Sequence, residues 1–179
     1  MKNENDKLFH SSPLLLTLKA WPVIALATIG LCFLTQTVAG FLGIELPDQS
    51  NIEVVRRCAG LNLTFAFLCA QVIIILPAVE ELIFRWLLFR LPSRAFGTEP
   101  STSNVQPATL ITAAVSSIAF SAAHYIAQPF PDNAFLALFF FGLAQCWLYR
   151  RSDRLWCAIL NHGLFNLTNL VLLFILPSA

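Results

Sequence analysis

The stretch LNLTFAFLCAQVIIILPAVEELIFRWLLFRL, residues 61–91, decides the fold. Its first part, Leu61 to Val79, is an almost unbroken apolar run, and a helix needs about 20 such residues to cross the hydrocarbon core of a bilayer. The second part places charged residues among apolar ones, with no turn former before Pro92. We therefore predict a membrane-spanning helix that continues through the charges to Leu91, where Pro92 ends it.

The rest of the chain has the same apolar character. Of its 179 residues, 57% are hydrophobic and only 12% are charged, and the mean hydropathy is +0.70. A soluble domain needs more charge to cover its surface. Apolar blocks predict further helices at Ala20–Ile44, Pro107–Ala127, Asn133–Tyr149 and Leu155–Leu176. The expected fold class is all-α, a polytopic transmembrane helix bundle of about five spanning helices. It forms a single domain over residues 1–179, with a polar tail at residues 1–13.

The positions of Lys and Arg predict the orientation in the membrane, because cytoplasmic loops carry an excess of both. An N-terminus in the cytoplasm places most basic residues on that side: Lys2, Lys7, Lys19, Arg85, Arg90, Arg94, Arg150, Arg151 and Arg154. Only Arg56 and Arg57 then lie on the far side. We expect an integral membrane protein, in the simplest case of a bacterial inner membrane, with a cytoplasmic N-terminus.

Charge and cysteine content exclude some other classes. The formal net charge is +1 and no long basic run occurs, which argues against a nucleic-acid partner. The five cysteines form no CxxC pair, and most lie inside apolar blocks. They are typical of small buried side chains rather than of a disulfide framework or a cysteine metal site.

Three ionisable residues, Glu80, Glu81 and Arg85, lie close together within the quoted stretch. Charges inside a membrane helix cost roughly 2.5–3.5 kcal/mol each on insertion scales, so they usually have a partner or a function. Glu81 and Arg85 are spaced i, i+4 with the acid first, the favoured order for an ion pair on one helix. Glu80 points about 100° away and shares its face with Phe84. Pro77 removes a backbone hydrogen bond and can kink the helix or admit water. The alternative is an ordinary interfacial helix end whose charges reach the headgroups.

Three further polar side chains lie in the third and fifth predicted helices. His124 follows Phe120 by one turn, among small residues that let helices approach closely. His162 and Asn166 are spaced i, i+4 and stack on one face, with Gly163 between them. Singly, each polar residue could be a hydrogen-bonded contact between helices. Together with a free carboxylate, two imidazoles and an amide can activate water and stabilise an oxyanion.

Three motifs resemble a known family. EELIFR (80–85), FSAAH (120–124) and HGLFN (162–166) are similar to the EExxxR, FxxxH and HxxxN motifs of the CPBP family. This family comprises CAAX-protease and bacteriocin-processing membrane proteins, related to the type II prenyl endopeptidase. The motifs occur in the family's order and on separate predicted helices.

The resemblance implies hydrolysis of a peptide bond within the membrane. Glu80 would be the general base, and His124 would be its partner in holding the attacking water. His162 and Asn166 would face the oxyanion. The substrate would be a membrane-associated protein or peptide: a prenylated CAAX protein, a peptide precursor or a C-terminal membrane sorting tag.

The remaining roles follow from the resemblance and from spacing. Glu81 and Arg85 would be supporting residues, with Glu81 turned toward Arg85 and not toward the histidines. Helical spacing places Phe84 and Phe120 at the border of the pocket. We expect no cofactor. The alternative is zinc bound by Glu80 and the two histidines, with water in an open fourth position.

Depth in the membrane presents a difficulty. With this topology Glu80 and His162 fall in the cytoplasmic half, while His124 falls near the outer end of its helix. Either the corner Gln128 to Asp132 dips into the protein or the third helix starts above the membrane surface.

Two other functions remain open from the residues alone. One is a non-catalytic membrane partner of the same fold, such as a bacteriocin-immunity-type protein, which the intact set of polar residues disfavours. The other is a small proton-coupled carrier, which no inverted repeat supports.

Overall fold

The structure is a computed structural model that describes residues 12–44, 58, 62–97, 105–127 and 134–175. Within these ranges the chain forms five long helices and no strand. They are α1 (Pro13–Phe41), α2 (62–95), α3 (Pro107–Ala127), α4 (Ala134–Ser152) and α5 (Leu155–Ile175). The all-α fold class predicted from the sequence is confirmed.

Four of the five helices, namely α1, α2, α3 and α5, are long and apolar enough to cross a membrane. The fourth predicted spanning helix, α4, is less apolar because it carries Gln145 and ends in Arg150 and Arg151. It lies at the centre of the bundle and packs against α1, α3 and α5, with Ala137 and Leu148 fully buried. The face of α4 that packs on these helices can therefore provide protein partners for polar residues such as Gln145, while large apolar side chains such as Phe140 and Trp147 are exposed on the rest of the helix.

Helix α1 begins earlier than the sequence predicted. It starts at Pro13 rather than near Ala20 and includes Lys19. Ser12 caps it, because its hydroxyl accepts a hydrogen bond from the backbone N–H of Leu15 at 3.2 Å. A proline in the first turn has no N–H to leave unsatisfied, so it suits this position.

Helix α2 alternates between α and π turns. The α segments are Asn62–Ala70, Leu76–Glu81 and Leu91–Ala95, and the π segments between them are Gln71–Ile75 and Leu82–Arg90. Each π segment is followed by a turn that contains a proline, Pro77 or Pro92. Because proline lacks an N–H, it cannot complete the regular hydrogen-bond pattern, and the helix widens before it. The prediction that Pro92 ends the helix is wrong, since α2 continues to Ala95.

Helix α3 runs antiparallel to α2 and begins beside its end. The hydroxyls of Ser93 and Thr112 lie 2.7 Å apart, and the Ser116 hydroxyl donates to the carbonyl oxygen of Phe84 at 2.6 Å. α2 and α3 therefore stay in contact for roughly 20 Å from Glu80 toward the C-terminal end of α2. α3 therefore starts level with the C-terminal end of α2. This agrees with the explanation that the third helix starts above the membrane surface, which would bring His124 to the depth of Glu80. The corner 128–132 lies outside the described residues.

Basic residues gather at one end of the bundle. Arg90 forms an ion pair with Asp153 in the turn between α4 and α5, and its guanidinium carbon lies 5.5 Å from the centre of the Tyr149 ring. The ends of α2 and α4 carry further arginines, Arg94 and Arg151. The basic residues of the tail and those at 56 and 57 lie outside the described residues.

Candidate active site

Glu80 meets both histidines between α2, α3 and α5. Its Oε2 atom lies 3.6 Å from Nε2 of His162 and 3.9 Å from Nε2 of His124. These distances exceed a direct hydrogen bond, and a single water can bridge each of them. The side chains of Glu80 and His124 are 24% and 30% exposed, whereas that of His162 is 4% exposed. The structure therefore brings three of the predicted site residues to one point, open on the side of Glu80 and His124.

Glu81 bridges two helices. Its Oε1 atom lies 2.8 Å from Nδ1 of His162, and its Oε2 atom lies 3.0 Å from Nε of Arg85. The side chain of Glu81 has no exposed surface. The prediction that Glu81 turns toward Arg85 is confirmed, but the prediction that it turns away from the histidines is wrong. A carboxylate has two oxygens, and the packing of α5 on α2 places an imidazole against the second.

Arg85 is fully buried and is balanced by charge and by an aromatic ring. Its Nε atom contacts Glu81, although the N–H is not aligned as a hydrogen bond. Neither terminal nitrogen has a hydrogen-bond partner among the described residues. The guanidinium carbon lies 4.6 Å from the centre of the Phe120 ring and 6.0 Å from that of Phe84. A cation over an aromatic face is attracted by the ring quadrupole, which compensates part of its lost hydration.

The ring of Phe120 contacts both imidazoles. Its centroid lies 4.5 Å from that of His124 and 5.8 Å from that of His162. Phe84 packs edge to face on the same ring at 5.3 Å. Both phenylalanines thus lie where helical spacing predicted. The sequence did not identify Phe141 of α4, whose ring centroid lies 5.1 Å from that of His162. Three phenylalanines follow one another at 139–141, and the sequence does not show which of them faces the site.

Asn166 contacts the backbone of α2. Its side-chain amide donates to the carbonyl oxygen of Val72 at 2.8 Å. In the first π segment the N–H of Leu76 donates to the carbonyl oxygen of Gln71, five residues earlier. By the same pattern, the carbonyl oxygen of Val72 would accept from the N–H of residue 77. That residue is Pro77, which has none. Asn166 therefore replaces a backbone donor, while the second N–H of its amide has no role in this contact.

Two small residues allow the neighbouring helices to reach the π segments. A Cβ atom at Gly163 would collide with the carbonyl oxygen of Ile73 in the first π segment, so α5 can approach α2 only because residue 163 is glycine. In the second π segment, Ser116 of α3 donates to the carbonyl of Phe84. Both π segments are thus tied to a neighbouring helix, and the α segment with Glu80 and Glu81 lies between them.

Among the described residues, no group of three or more His, Cys, Asp or Glu side chains is placed to hold a metal ion. No disulfide joins any of the five cysteines, all of which the structure describes. An apolar groove of about 610 Å³ between α1 and α4 includes none of the residues that surround Glu80.

The chain matches the model of a known protein family. The family model described as "Type II CAAX prenyl endopeptidase Rce1-like" matches residues 61–168. That span contains all three motifs and the whole contact network around Glu80. No curated protein and no solved structure matches the chain.

Proposed function

We propose that this chain, which belongs to the Rce1-like family of type II CAAX prenyl endopeptidases, is an intramembrane endopeptidase of glutamate type. It hydrolyses a peptide bond of a membrane-associated protein or peptide. The observation that carries the proposal is the position of one half-buried carboxylate, Glu80, within 3.9 Å of two imidazole nitrogens. Family membership supports a protease embedded in the membrane, and this contact supports the identity of the base.

In the proposed reaction Glu80 takes a proton from a water molecule that His124 helps to hold. The resulting hydroxide attacks the carbonyl carbon of the scissile bond, and the proton finally passes to the leaving amine. A positioned base of this kind contributes about 10²–10⁴-fold to a rate. The reaction as we propose it uses no metal ion.

The oxyanion of the tetrahedral intermediate would form beside His162 and Asn166. The Asn166 amide has two N–H groups, and its contact with Val72 occupies one of them. The other can donate to the oxyanion. The hydrogen bond to α2 also fixes the direction of the amide, and preorganised donors stabilise a developing charge better than mobile ones.

The substrate would approach from the side on which Glu80 and His124 are exposed. With the arginine-rich end of the bundle at the cytoplasmic surface, Glu80 would lie roughly 15 Å from Arg90 along α2, inside the membrane. This depth suits a peptide bond near a membrane anchor, whether a prenylated C-terminus, a peptide precursor or a sorting tag. A bacterial inner membrane with a cytoplasmic N-terminus is the proposed location.

The test compares membranes that contain the wild-type protein with membranes that contain Glu80→Gln, which removes the base and keeps the side-chain volume. Mass spectrometry of new peptide termini should find products that depend on the wild-type protein. The matched control is Val79→Ala, a change at the neighbouring residue, which is 48% exposed toward lipid. It should leave the products unchanged. Equal products from wild type and Glu80→Gln, on a substrate that the protein does cleave, would contradict the role of Glu80 as the base. Absence of any product that depends on the wild-type protein would favour a non-catalytic partner.

A further inference from the structure

His162 lies between two carboxylates, and the contacts decide which nitrogen carries its proton. Nδ1 lies 2.8 Å from Oε1 of Glu81, and Nε2 lies 3.6 Å from Oε2 of Glu80. The other oxygen of Glu81 forms an ion pair with Nε of Arg85 at 3.0 Å. An ionised carboxylate can only accept hydrogen bonds. The proton of a neutral His162 therefore lies on Nδ1.

The same tautomer is favoured at His124, where the partner of Nδ1 is a backbone carbonyl instead of a carboxylate. Its Nδ1 lies 3.0 Å from the backbone carbonyl oxygen of Phe120, which also can only accept. Nε2 of each histidine is then unprotonated and lies within 3.9 Å of Oε2 of Glu80. Three acceptors lie close together, and a water molecule, with two protons, can donate to two of them at a time.

A neutral His162 in this form has no proton on Nε2 to donate to an oxyanion. It can act there only after it has received a proton. The partner that stabilises the resulting imidazolium is already present, because Glu81 holds the opposite nitrogen. The arrangement parallels the Asp–His pair of the serine-protease triad, in which a buried carboxylate sets the tautomer and stabilises the imidazolium.

We propose that Glu81 is a positioning residue that holds His162 in its Nδ1–H form, so that His162 carries the proton from the attacking water to the leaving amine. This inference rests on the proposed function. The water O–H bond breaks, its proton passes through Glu80 to Nε2 of His162, and the hydroxide oxygen forms a bond to the carbonyl carbon. The new Nε2–H donates to the oxyanion. When the carbonyl re-forms and the C–N bond breaks, that proton moves to the amine nitrogen.

Glu81→Gln separates this role from simple neutralisation of Arg85. The guanidinium needs an acceptor, so the amide oxygen of the new side chain should face Arg85. The amide NH₂ would then face Nδ1 of His162, which must become the acceptor. The tautomer of His162 should therefore invert to Nε2–H, while that of His124, which depends on a backbone carbonyl, should not change.

The experiment is ¹⁵N NMR of histidine-labelled, chelator-washed protein in detergent micelles at neutral pH. His124→Gln and His10→Gln variants assign the signals. The wild type should show protonated Nδ1 and unprotonated Nε2 in both His162 and His124, and Glu81→Gln should exchange the two signals of His162 only. On a cleaved substrate, Glu81→Gln should lower kcat per folded enzyme by at least about 100-fold with KM unchanged.

Wild-type spectra with the proton on Nε2 of His162 would overturn the inference without any variant. If Glu81→Gln does not fold, Glu81→Asp, which keeps both acceptor oxygens, should retain the wild-type tautomer. A lower yield of folded Glu81→Gln with unchanged tautomer and kcat would show a purely structural role for Glu81. Absence of any cleavage by the wild type, with the expected tautomers, would contradict the proposed function and leave the tautomer assignment standing.

Discussion

The side-chain amide of Asn166 lies 2.8 Å from the carbonyl oxygen of Val72 and joins α5 to α2. The hydrogen bond takes the place of one that Pro77 cannot make. A residue whose spacing suggests a catalytic donor thus also supports the fold. The proposed catalytic role would use the other N–H group of the same amide, so separate substitutions can distinguish the two roles.

Asn166→Ala should lower both stability and cleavage. Hydrogen bonds between membrane helices contribute about 0.6 kcal/mol on average and up to about 1.7 kcal/mol. Loss of an oxyanion donor costs about 10²–10³-fold in kcat. Pro77→Ala supplies a backbone N–H for Val72 and should restore stability in the double variant, but not cleavage. Unfolding in micelles and cleavage rates measure the two effects. Recovery of cleavage by Pro77→Ala would show that Asn166 acts only on the fold.

Gly163→Ala should separate α5 from α2. The added methyl group would collide with the carbonyl of Ile73, a backbone atom that cannot rotate away. We expect a loss of about 1–3 kcal/mol in unfolding free energy, as for other overpacked sites, and reduced cleavage. The matched control is Gly30→Ala in α1, where no atom lies within 4 Å of the new Cβ. It should be neutral or stabilising by up to about 1 kcal/mol. Equal melting temperatures for the two variants would refute the close contact.

Arg85→Met should destabilise the protein strongly, because it leaves Glu81 as a buried charge with only an imidazole for a partner. Removing one member of a buried ion pair costs about 3–5 kcal/mol. Arg94→Met, at an exposed position of the same helix, serves as the control and should change little. Adding Glu81→Leu to Arg85→Met should recover much of the folded yield, since a buried pair can often be replaced by apolar residues. No recovery would mean that Arg85 acts through Phe120 rather than through Glu81.

Metal content tests the proposed reaction independently. We expect purified protein to contain well under one equivalent of zinc by elemental analysis, and chelators to leave cleavage intact. Two imidazole nitrogens and a carboxylate are a possible zinc set. Stoichiometric zinc that disappears in His124→Ala or His162→Ala would therefore overturn the metal-free reaction and make Glu80 a ligand or base of a zinc site.

The sequence predicted the helices well because each apolar block is long enough to cross the bilayer. The bounds of α3 agree with Pro107–Ala127, since polar residues flank that block on both sides. The start of α1 was missed because Lys19 interrupts the apolar pattern, yet one charge near a helix end does not break a helix. The end of α2 was missed because the wide turn before Pro92 lets the helix pass that proline.

Contacts within one helix were predictable from spacing. Of the contacts between helices, the approach of Glu80 to the two histidines was expected from the family motifs, and other contacts were not. The ion pair of Glu81 with Arg85 follows from the i, i+4 spacing. The contact of Glu81 with His162 depends on how α5 packs against α2. Residue spacing along the chain does not predict this packing. The same holds for Asn166 and Val72, although Pro77 did indicate a backbone acceptor left without a donor.

The wide turns of α2 also bear on how this chain can differ in length from its relatives. A π turn is an α-helical turn with one extra residue, and the helical turns on either side of it keep the same faces toward the neighbouring helices. Deleting one residue within Gln71–Ile75 would convert the wide turn to an ordinary one and leave Leu76–Glu81 facing the same neighbours. The same deletion within Leu76–Glu81 would rotate Glu80 by about 100° relative to the part of α2 that packs on α5. Single-residue gaps in an alignment of relatives should therefore fall in the two π segments, outside the turn that carries the glutamates.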